Sequence, residues 1–248
     1  DDKINEINDR IDDIITTPTS DINHQEIIDA RNGKDSLGEN IRYIERLAKV
    51  GIKNVVENGD FKNGLEGHFA GRERVELNDD GNVVLTGYED GIITGVIAQI
   101  IYYDHIPTDE NWYFIGRLRA LDPLQWISVG ARATSGESNT RIYNPTIAKW
   151  YNISHYMTGS DYNEMDGNFS AAVWGADPNV EGKRVEVDYY MAINVTRVFG
   201  RGNEPTKEEL DRLLLSNGYF DGEIGSGKLL SFLTKNHNEN TEQIKEIK

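Results

Sequence analysis

The chain is an acidic polypeptide of 248 residues without cysteine, long enough for one large all-β domain or two small domains. It carries 42 Asp and Glu residues against 26 Lys and Arg residues, a formal net charge of −16. We therefore predict neither a nucleic-acid nor a membrane partner, and a polyanionic partner would need a local basic patch or a bridging cation. The absence of cysteine excludes disulfides, zinc–thiolate sites and a cysteine nucleophile.

The chain opens on a heptad pattern over residues 1–17. Isoleucines spaced three, four and three residues apart form its seam: Ile4, Ile7, Ile11 and Ile14. Isoleucine at both core positions of a heptad favours three or more parallel strands, so the pattern predicts a trimeric coiled coil that ends before Pro18. The alternative is a surface helix docked on its own domain, because so short a helix is marginal in water by itself.

Residues 18–52 read as a linker followed by a capped helix. Ser36 and Glu39 form a capping box, and Gly51 suits the position just after the helix end.

From residue 53 to residue 200 the period of the sequence changes to two. The segment Tyr113–Ala120 alternates apolar and polar side chains. A second segment places Ile127, Val129, Ala131 and Ala133 on one face and Ser128, Gly130, Arg132 and Thr134 on the other. A third places six residues on one face: Val185, Val187, Tyr189, Met191, Ile193 and Val195. Short alternating runs separated by polar turns predict a mainly β fold, an antiparallel β-sandwich or jelly roll.

The end of the chain returns to helical patterns. Residues 201–228 predict a loop, a short helix from Lys207 to Leu215 with a capping box at Thr206 and Glu209, and a glycine-rich linker. Residues 229–248 predict the start of a C-terminal coiled coil, whose seam includes Leu230, Leu233, Ile244 and Ile247. The β-sandwich is thus predicted to be flanked by α-helical trimeric segments at both ends.

No catalytic constellation stands out in the sequence. The five histidines are scattered without metal-ligand spacing, and there is no nucleophile elbow or phosphate-binding loop. We predict that the chain is not an enzyme. A two-carboxylate glycan hydrolase is the alternative that so acidic a chain leaves open.

Aromatic residues are the best site candidates. Sugars stack their C–H patches on flat aromatic faces, and neighbouring polar side chains bind the hydroxyl groups. We select four candidates for carbohydrate binding: Trp126, Trp174, Trp112 and Tyr162. The alternative for each is a place in the sandwich core, which also requires large aromatic side chains.

Three segments together resemble tail-fibre and baseplate proteins of phages that infect Gram-positive bacteria. Ile28–Glu39 resembles a segment common in those proteins, and Asn54–Phe61 resembles the opening strand of jelly-roll carbohydrate-binding modules. The closest match is Val187–Leu210, with its Gly-Asn-Glu-Pro-Thr loop, followed by Asn217–Gly222. The carbohydrate-binding modules usually have a Trp where this chain has His68 and Phe69.

The resemblance covers most of residues 26–222. It implies a homotrimeric virion protein of the phage tail that acts at the host cell surface, with other tail and baseplate proteins and host cell-wall polysaccharide as partners. It also implies a structural calcium between the opening and closing strands, with Asp60 and Asp188 as the positions to test and no other cofactor. The alternative function is a purely structural fibre connector, with host contact made elsewhere. A tail-associated glycan hydrolase is the least favoured.

Overall fold

The computed structural model describes residues 51–70, 74–88, 93–103, 105, 107–162, 165–215 and 217–225. Both predicted coiled coils, all eight of their seam residues and the predicted helix over residues 36–50 lie outside the described residues. The trimer therefore stays a prediction.

The described part of the chain is built mainly from β-strands. Their bounds are β1 (Ile52–Lys53), β2 (Phe69–Ala70), β3 (Arg74–Leu77), β4 (Val83–Thr86), β5 (Ile93–Tyr102), β6 (Trp112–Ala120), β7 (Trp126–Arg132), β8 (Glu137–Tyr143), β9 (Tyr151–Met157), β10 (Phe169–Ala176), β11 (Arg184–Asn194) and β12 (Glu223–Ile224). The helical pieces are a 3₁₀ turn (Gly159–Tyr162), α1 (Val195–Phe199), α2 (Lys207–Leu210) and a π-helical turn (Asp211–Leu215). No helix among the described residues has the length and apolar character needed to cross a membrane.

Two five-stranded antiparallel sheets face each other. Sheet I has the order β3-β4-β11-β6-β9, and sheet II has the order β2-β5-β10-β7-β8. From β4 to β11 the chain crosses repeatedly between the sheets, so that these eight strands have the orders 4-11-6-9 and 5-10-7-8. This is the jelly-roll arrangement, and the predicted mainly β, antiparallel sandwich is confirmed.

The alternating sequence of β6 and β7 determines which side chains enter the core. Phe114, Leu118 and Ala120 of β6 are fully buried between the sheets, as are Ile127 and Ala131 of β7. The intervening side chains point to the outer faces, because successive residues of a strand project to opposite sides. The alternation predicted for these two strands is therefore confirmed.

The predicted phase of β11 is correct only for its first half. The pairing of β11 with β6 shifts register between Val187 and Tyr189, which marks a β-bulge at Asp188. Val185 and Val187 enter the core before the bulge, and Tyr190 and Ala192 enter it afterwards. The predicted inward placement of Tyr189, Met191 and Ile193 is wrong, because the extra residue reverses the alternation.

The domain also extends beyond the predicted boundary at residue 200. Strand β12 pairs with β1 through Ile224 opposite Ile52, so the segment predicted as a linker closes the domain. The predicted helix from Lys207 to Leu215 is present as α2 and the π-helical turn, and its capping box forms between Thr206 and Glu209. Leu210, Leu213 and Leu214 of this segment are buried.

Asn54 ties the opening of the domain to its end. Its side-chain amide donates to the carbonyl oxygen of Phe220 at 3.0 Å, and its side-chain oxygen accepts from the backbone nitrogens of Val56 (3.0 Å) and Ala192 (3.1 Å). The Tyr219 hydroxyl accepts from the backbone nitrogen of Gly59 at 2.9 Å. The motifs that carry the family resemblance therefore hold the opening, closing and final segments together.

Candidate functional site

The outer face of sheet II carries a second apolar cluster, separate from the core between the sheets. Its six members are Val96, Ala98, Trp126, Ala172, Trp174 and Ala176, from strands β5, β7 and β10. A sandwich needs only one buried face per sheet, and the other usually faces water. A packed apolar cluster on the outside is therefore the feature of this fold that calls for a functional explanation.

The strand register gives the layout of this face. Paired residues across the sheet form one row from Val96 through Trp174 and Ser128 to Arg141. A second row runs from Phe69 through Ala98, Ala172 and Gly130 to Asn139. The rows on either side contain Ala176, Trp126 and Tyr143, and Ser170, Arg132 and Glu137. Aromatic and polar side chains therefore surround a row of small residues.

Two arginines lie over the two tryptophans. The Arg141 guanidinium is 4.2 Å from the centre of the Trp126 ring, and the Arg132 guanidinium is 6.0 Å from that of Trp174. The two tryptophans meet edge to face, with their ring centres 6.4 Å apart. Trp126 is 8% exposed and Trp174 is 0% exposed. The tryptophans therefore hold cations in place by cation–π attraction, and their own faces are not open to solvent.

The two arginines differ in their other partners. Arg141 pairs with Glu137 at 2.5 Å and donates to the Asn139 side-chain oxygen at 3.0 Å. The side chain of Arg132 has neither an ion pair nor a hydrogen bond among the described residues, although Glu137 lies opposite Arg132 in the strand register. The guanidinium of Arg132 is thus left with its hydrogen-bond donors unused in this part of the chain.

Ser128 is a buried polar residue without a partner. Its side-chain oxygen is one of two buried side-chain polar atoms that lack a hydrogen-bond partner in the described part of the chain, and the residue is 0% exposed. It lies between Trp174 and Arg141 in the strand register. Leaving a buried hydroxyl unpaired costs about 1–3 kcal/mol, and this hydroxyl is enclosed beneath the side chains of the outer face.

Two exposed aromatic residues flank this face. Phe69 on edge strand β2 is 62% exposed, and Tyr143 on edge strand β8 is 61% exposed. Both pair with residues of the cluster, Phe69 with Ala98 and Tyr143 with Trp126, so both belong to the outer face. We call the surface formed by Phe69, Ser128, Arg132, Arg141 and Tyr143 around the tryptophan pair the sheet II surface.

The outer face of sheet I, by contrast, pairs its charges internally. Arg117 pairs with Asp188, Arg119 pairs with Glu186 at 2.7 Å, and both guanidiniums lie over the Trp150 ring. Burial would raise the pKa of Glu186, but hydrogen bonds from Arg119 and two asparagines hold it below its ordinary value. The polar groups of this face thus satisfy one another.

A compact polar group on sheet I contains a serine and a lysine in contact, as a catalytic Ser–Lys pair does. The Lys207 nitrogen is 2.7 Å from the Ser154 hydroxyl oxygen. Ser154 and Tyr113, however, both donate their protons to Asp211, at 2.5 and 2.6 Å, and both are buried. Burial, followed by the hydrogen bond to Asp211, raises the pKa of Tyr113. This group fixes the π-helical turn to the sheet, and its serine and tyrosine are bound to the Asp211 carboxylate.

The structure separates the four predicted carbohydrate-binding residues into two pairs. Trp126 and Trp174 share the sheet II surface. Trp112 is 0% exposed and Tyr162 is 4% exposed, and both belong to the core cluster between the sheets. A sugar needs an accessible ring face, so the prediction that Trp112 and Tyr162 stack on a sugar does not fit these positions. The covered rings of Trp126 and Trp174 do not fit a stacking role either.

The two predicted calcium ligands are each paired with a cation. Asp60 pairs with Lys62, and Asp188 pairs with Arg117. Calcium takes about six to eight oxygen ligands, and no group of three or more metal-ligating side chains occurs among the described residues. Two carboxylates that are each neutralised by a different cation do not fit the proposed ion.

Sequence reasoning missed five residues of the sheet II surface as site residues. The alternation of β7 already placed Ser128 and Arg132 on the face opposite the core. Arg141 and Tyr143 lie on β8, whose sequence Glu137–Tyr143 is too polar to show a strand period. Phe69 lies on a strand of two residues, which is too short for any periodic signal.

No protein-family model and no curated protein matches the sequence. Solved structures with a similar fold include an arabinose-bound GH51 α-L-arabinofuranosidase, with a TM-score of 0.46, 10% identity, and coverage of 64% of this chain and 29% of that one. The carbohydrate-binding module TmCBM61, solved with beta-1,4-galactotriose, has a TM-score of 0.39 and 10% identity, and the match covers 57% of this chain and 99% of the module. A carbohydrate esterase from Shiga toxin-encoding bacteriophage phi24B has the same TM-score and identity, with 58% and 99% coverage.

Proposed function

We propose that this chain binds a glycan through the sheet II surface. The observation that carries the proposal is the packed aromatic cluster on the outside of the sandwich, flanked by exposed aromatic rings and bordered by unused hydrogen-bond donors. Glycan sites combine these two elements, because sugar rings have both apolar C–H patches and many hydroxyl groups.

Each part of the surface has a distinct role in this proposal. Phe69 and Tyr143 offer open ring faces on which sugars stack. Arg132 and Arg141 supply hydrogen bonds to hydroxyl groups. Trp126 and Trp174 act as positioning residues, because the cation–π contacts hold the guanidiniums in place before the ligand arrives. Fixing donors in advance reduces the entropy lost on binding.

We further propose that the domain is one segment of a trimeric phage tail fibre and that its ligand is a host cell-wall polysaccharide. Two features of the sequence support this: the isoleucine seam of residues 1–17 and the likeness of Val187–Leu210 to tail-fibre modules. Three weak sites on one fibre would give avidity without any single strong site.

The experiment is a glycan array that carries neutral and acidic cell-wall oligosaccharides, probed with the full chain. We expect binding that falls at least tenfold in Phe69→Ala and Tyr143→Ala, each of which removes an exposed ring. Leu77→Ala is the matched control, because Leu77 is also exposed, at 41%, but belongs to sheet I. Equal binding by all four proteins, or no binding by any of them, would contradict the proposed surface.

A structural connector is the second candidate, and one observation favours it. Trp174 is fully buried and Trp126 nearly so, which is also what a cluster would show if its purpose were rigidity. A connector should bind no glycan on the array and should retain its place in the fibre when Phe69 and Tyr143 are replaced together.

We propose binding without catalysis. The Ser154–Lys207 pair is committed to Asp211, and that arrangement supports the choice. Release of reducing sugar from host cell walls by the full chain, abolished by replacing one carboxylate, would instead establish a hydrolase.

A further inference from the structure

Arg132 stands out in a chain where acidic residues outnumber basic ones. Six other arginines form ion pairs with carboxylates: Arg117, Arg119, Arg141, Arg184, Arg197 and Arg201. Arg132 has no carboxylate partner among the described residues. Its guanidinium lies over the ring of Trp174 instead. An arginine left without a carboxylate in so acidic a protein indicates that its charge serves something other than internal pairing.

The nearest carboxylate in the strand register is already engaged. Glu137 lies opposite Arg132, but its side chain accepts from Arg141 at 2.5 Å and from Asn139 at 3.0 Å. The sheet II surface therefore has two arginines, Arg132 and Arg141, and one carboxylate that pairs with them, Glu137. This is the kind of local basic patch that an anionic partner of an acidic protein requires.

Strand β8 lies close against β7 beside Arg132. Gly130 lies between Ser128 and Arg132 on the same face of β7. A Cβ atom at Gly130 would lie 2.2 Å from the carbonyl oxygen of Ser138, so no larger residue fits there without moving β8. The space over Gly130 is thus filled by β8, and a ligand reaches this end of β7 at the half-buried side chain of Arg132.

We infer that the glycan bound at the sheet II surface carries a singly charged anionic group, a uronic-acid carboxylate or a phosphodiester, and that Arg132 binds it. The planar guanidinium matches two oxygens of such a group at once. Trp174 keeps the guanidinium in position. This inference rests on the proposed glycan-binding function and narrows its ligand class.

The test compares matched pairs of ligands on the full-length wild-type chain. Polygalacturonate and alginate are each assayed beside their carboxyl-reduced forms, and poly(glycerol phosphate) is assayed beside neutral polyglycerol of similar length. We expect at least tenfold tighter binding to one charged member than to its neutral counterpart. The carboxylate and phosphate arms then identify which anionic group is recognised.

Arginine variants connect that preference to the site. Arg132→Gln should abolish the preference for the charged ligand, and Arg132→Lys should restore it only in part, because lysine keeps the charge but loses the planar fork. Arg201→Gln is the matched control, since Arg201 is 67% exposed in its side chain and its loss changes the net charge equally. Its preference should equal that of the wild type.

The outcomes separate this inference from the proposed function. Equal wild-type binding to the charged and neutral members overturns the inference but leaves glycan binding established. An undiminished preference in Arg132→Gln also overturns it, because another residue must then carry the selectivity. No binding to any of these polymers or to the array overturns both.

Discussion

His155 is a half-buried histidine on edge strand β9, next to side chains of β8. Its ring nitrogens lie 2.8 Å from the Ser138 hydroxyl and 3.2 Å from the Thr140 hydroxyl, and its ring stacks on Phe114. Burial lowers the pKa of His155 to about 4, with Asp161 opposing the shift and Lys207 adding to it. The hydroxyl partners serve a neutral imidazole well, whereas a charged one would lack a carboxylate beside it.

We predict that the domain loses stability when the pH falls from 6.5 to 4. The unfolded chain protonates His155 near its ordinary pKa of 6.5, whereas the folded chain does so only near pH 4. The unfolded state therefore binds more protons in that window, and the free energy of unfolding falls by up to about 3 kcal/mol. Urea unfolding at a series of pH values measures this loss.

The variant His155→Gln isolates the contribution of this residue. Glutamine can still bond to the two hydroxyls but does not titrate, so the advantage of the wild type over the variant should shrink as the pH falls. His68 has a pKa that burial also lowers, and it remains in the variant, so part of the acid sensitivity persists. A constant difference between the two proteins from pH 7 to pH 4 would contradict the prediction.

At the scale of elements, one carboxylate fixes the helical segment that covers sheet I. Asp211 accepts from Tyr113 and Ser154 on the sheet and from Lys207 on α2. We predict that Asp211→Ala destabilises the domain by about 2–4 kcal/mol, because it leaves the buried hydroxyls without an acceptor. Urea unfolding gives the magnitude, and hydrogen exchange over residues 207–215 shows whether the segment opens first.

Asp221→Ala is the control for that measurement. Asp221 is exposed, and its hydrogen bond with the Tyr219 hydroxyl is 3.2 Å long, so its loss should change the free energy of unfolding by less than about 1 kcal/mol. If the two alanine variants are equally stable, the polar group around Asp211 does not anchor the segment.

The elements also show where sequence reasoning succeeds and where it stops. In the second half of β6 and along most of β7, apolar residues alternate with arginine, serine or glycine, so the alternation could be recognised and the core residues predicted. Strand β11 contains a bulge at Asp188, and its second half is covered on both sides, so its sequence does not reveal the change of phase. A bulge is set by pairing with a neighbouring strand, which no local pattern records.

The same limit applies to the candidate site. Alternation placed Ser128 and Arg132 on one face of β7, but only the pairing of β7 with β8 and β10 brings Arg141 and Trp174 beside them. Trp112 could not be distinguished from Trp126 by residue type. Its burial follows from the strand phase of β6, which points its indole between the sheets.

At the scale of the whole molecule, the predicted assembly determines how strongly a weak site can act. A single site of hydrogen bonds and stacked rings gives modest affinity, and three sites held on one rod can raise the overall avidity by about two to four orders of magnitude. The three sites must reach the same surface together for this gain to appear. The isoleucine seam of residues 1–17 is the feature of the sequence that predicts such an assembly.

We predict that the full chain sediments at three times the 28.0 kDa mass of one chain. Replacing Ile7, Ile11 and Leu233 together with aspartate places charges in both predicted seams, so the chain should sediment as a monomer and lose at least a hundredfold in retention on immobilised glycan.

Ile147→Asp is the control, because Ile147 is 49% exposed on the sandwich and its replacement should leave both properties unchanged. A wild-type chain that stays monomeric at high concentration would remove the fibre proposal, and a seam variant that stays trimeric would place the contacts elsewhere. A monomeric variant with undiminished retention would instead show that one sheet II surface suffices for adhesion.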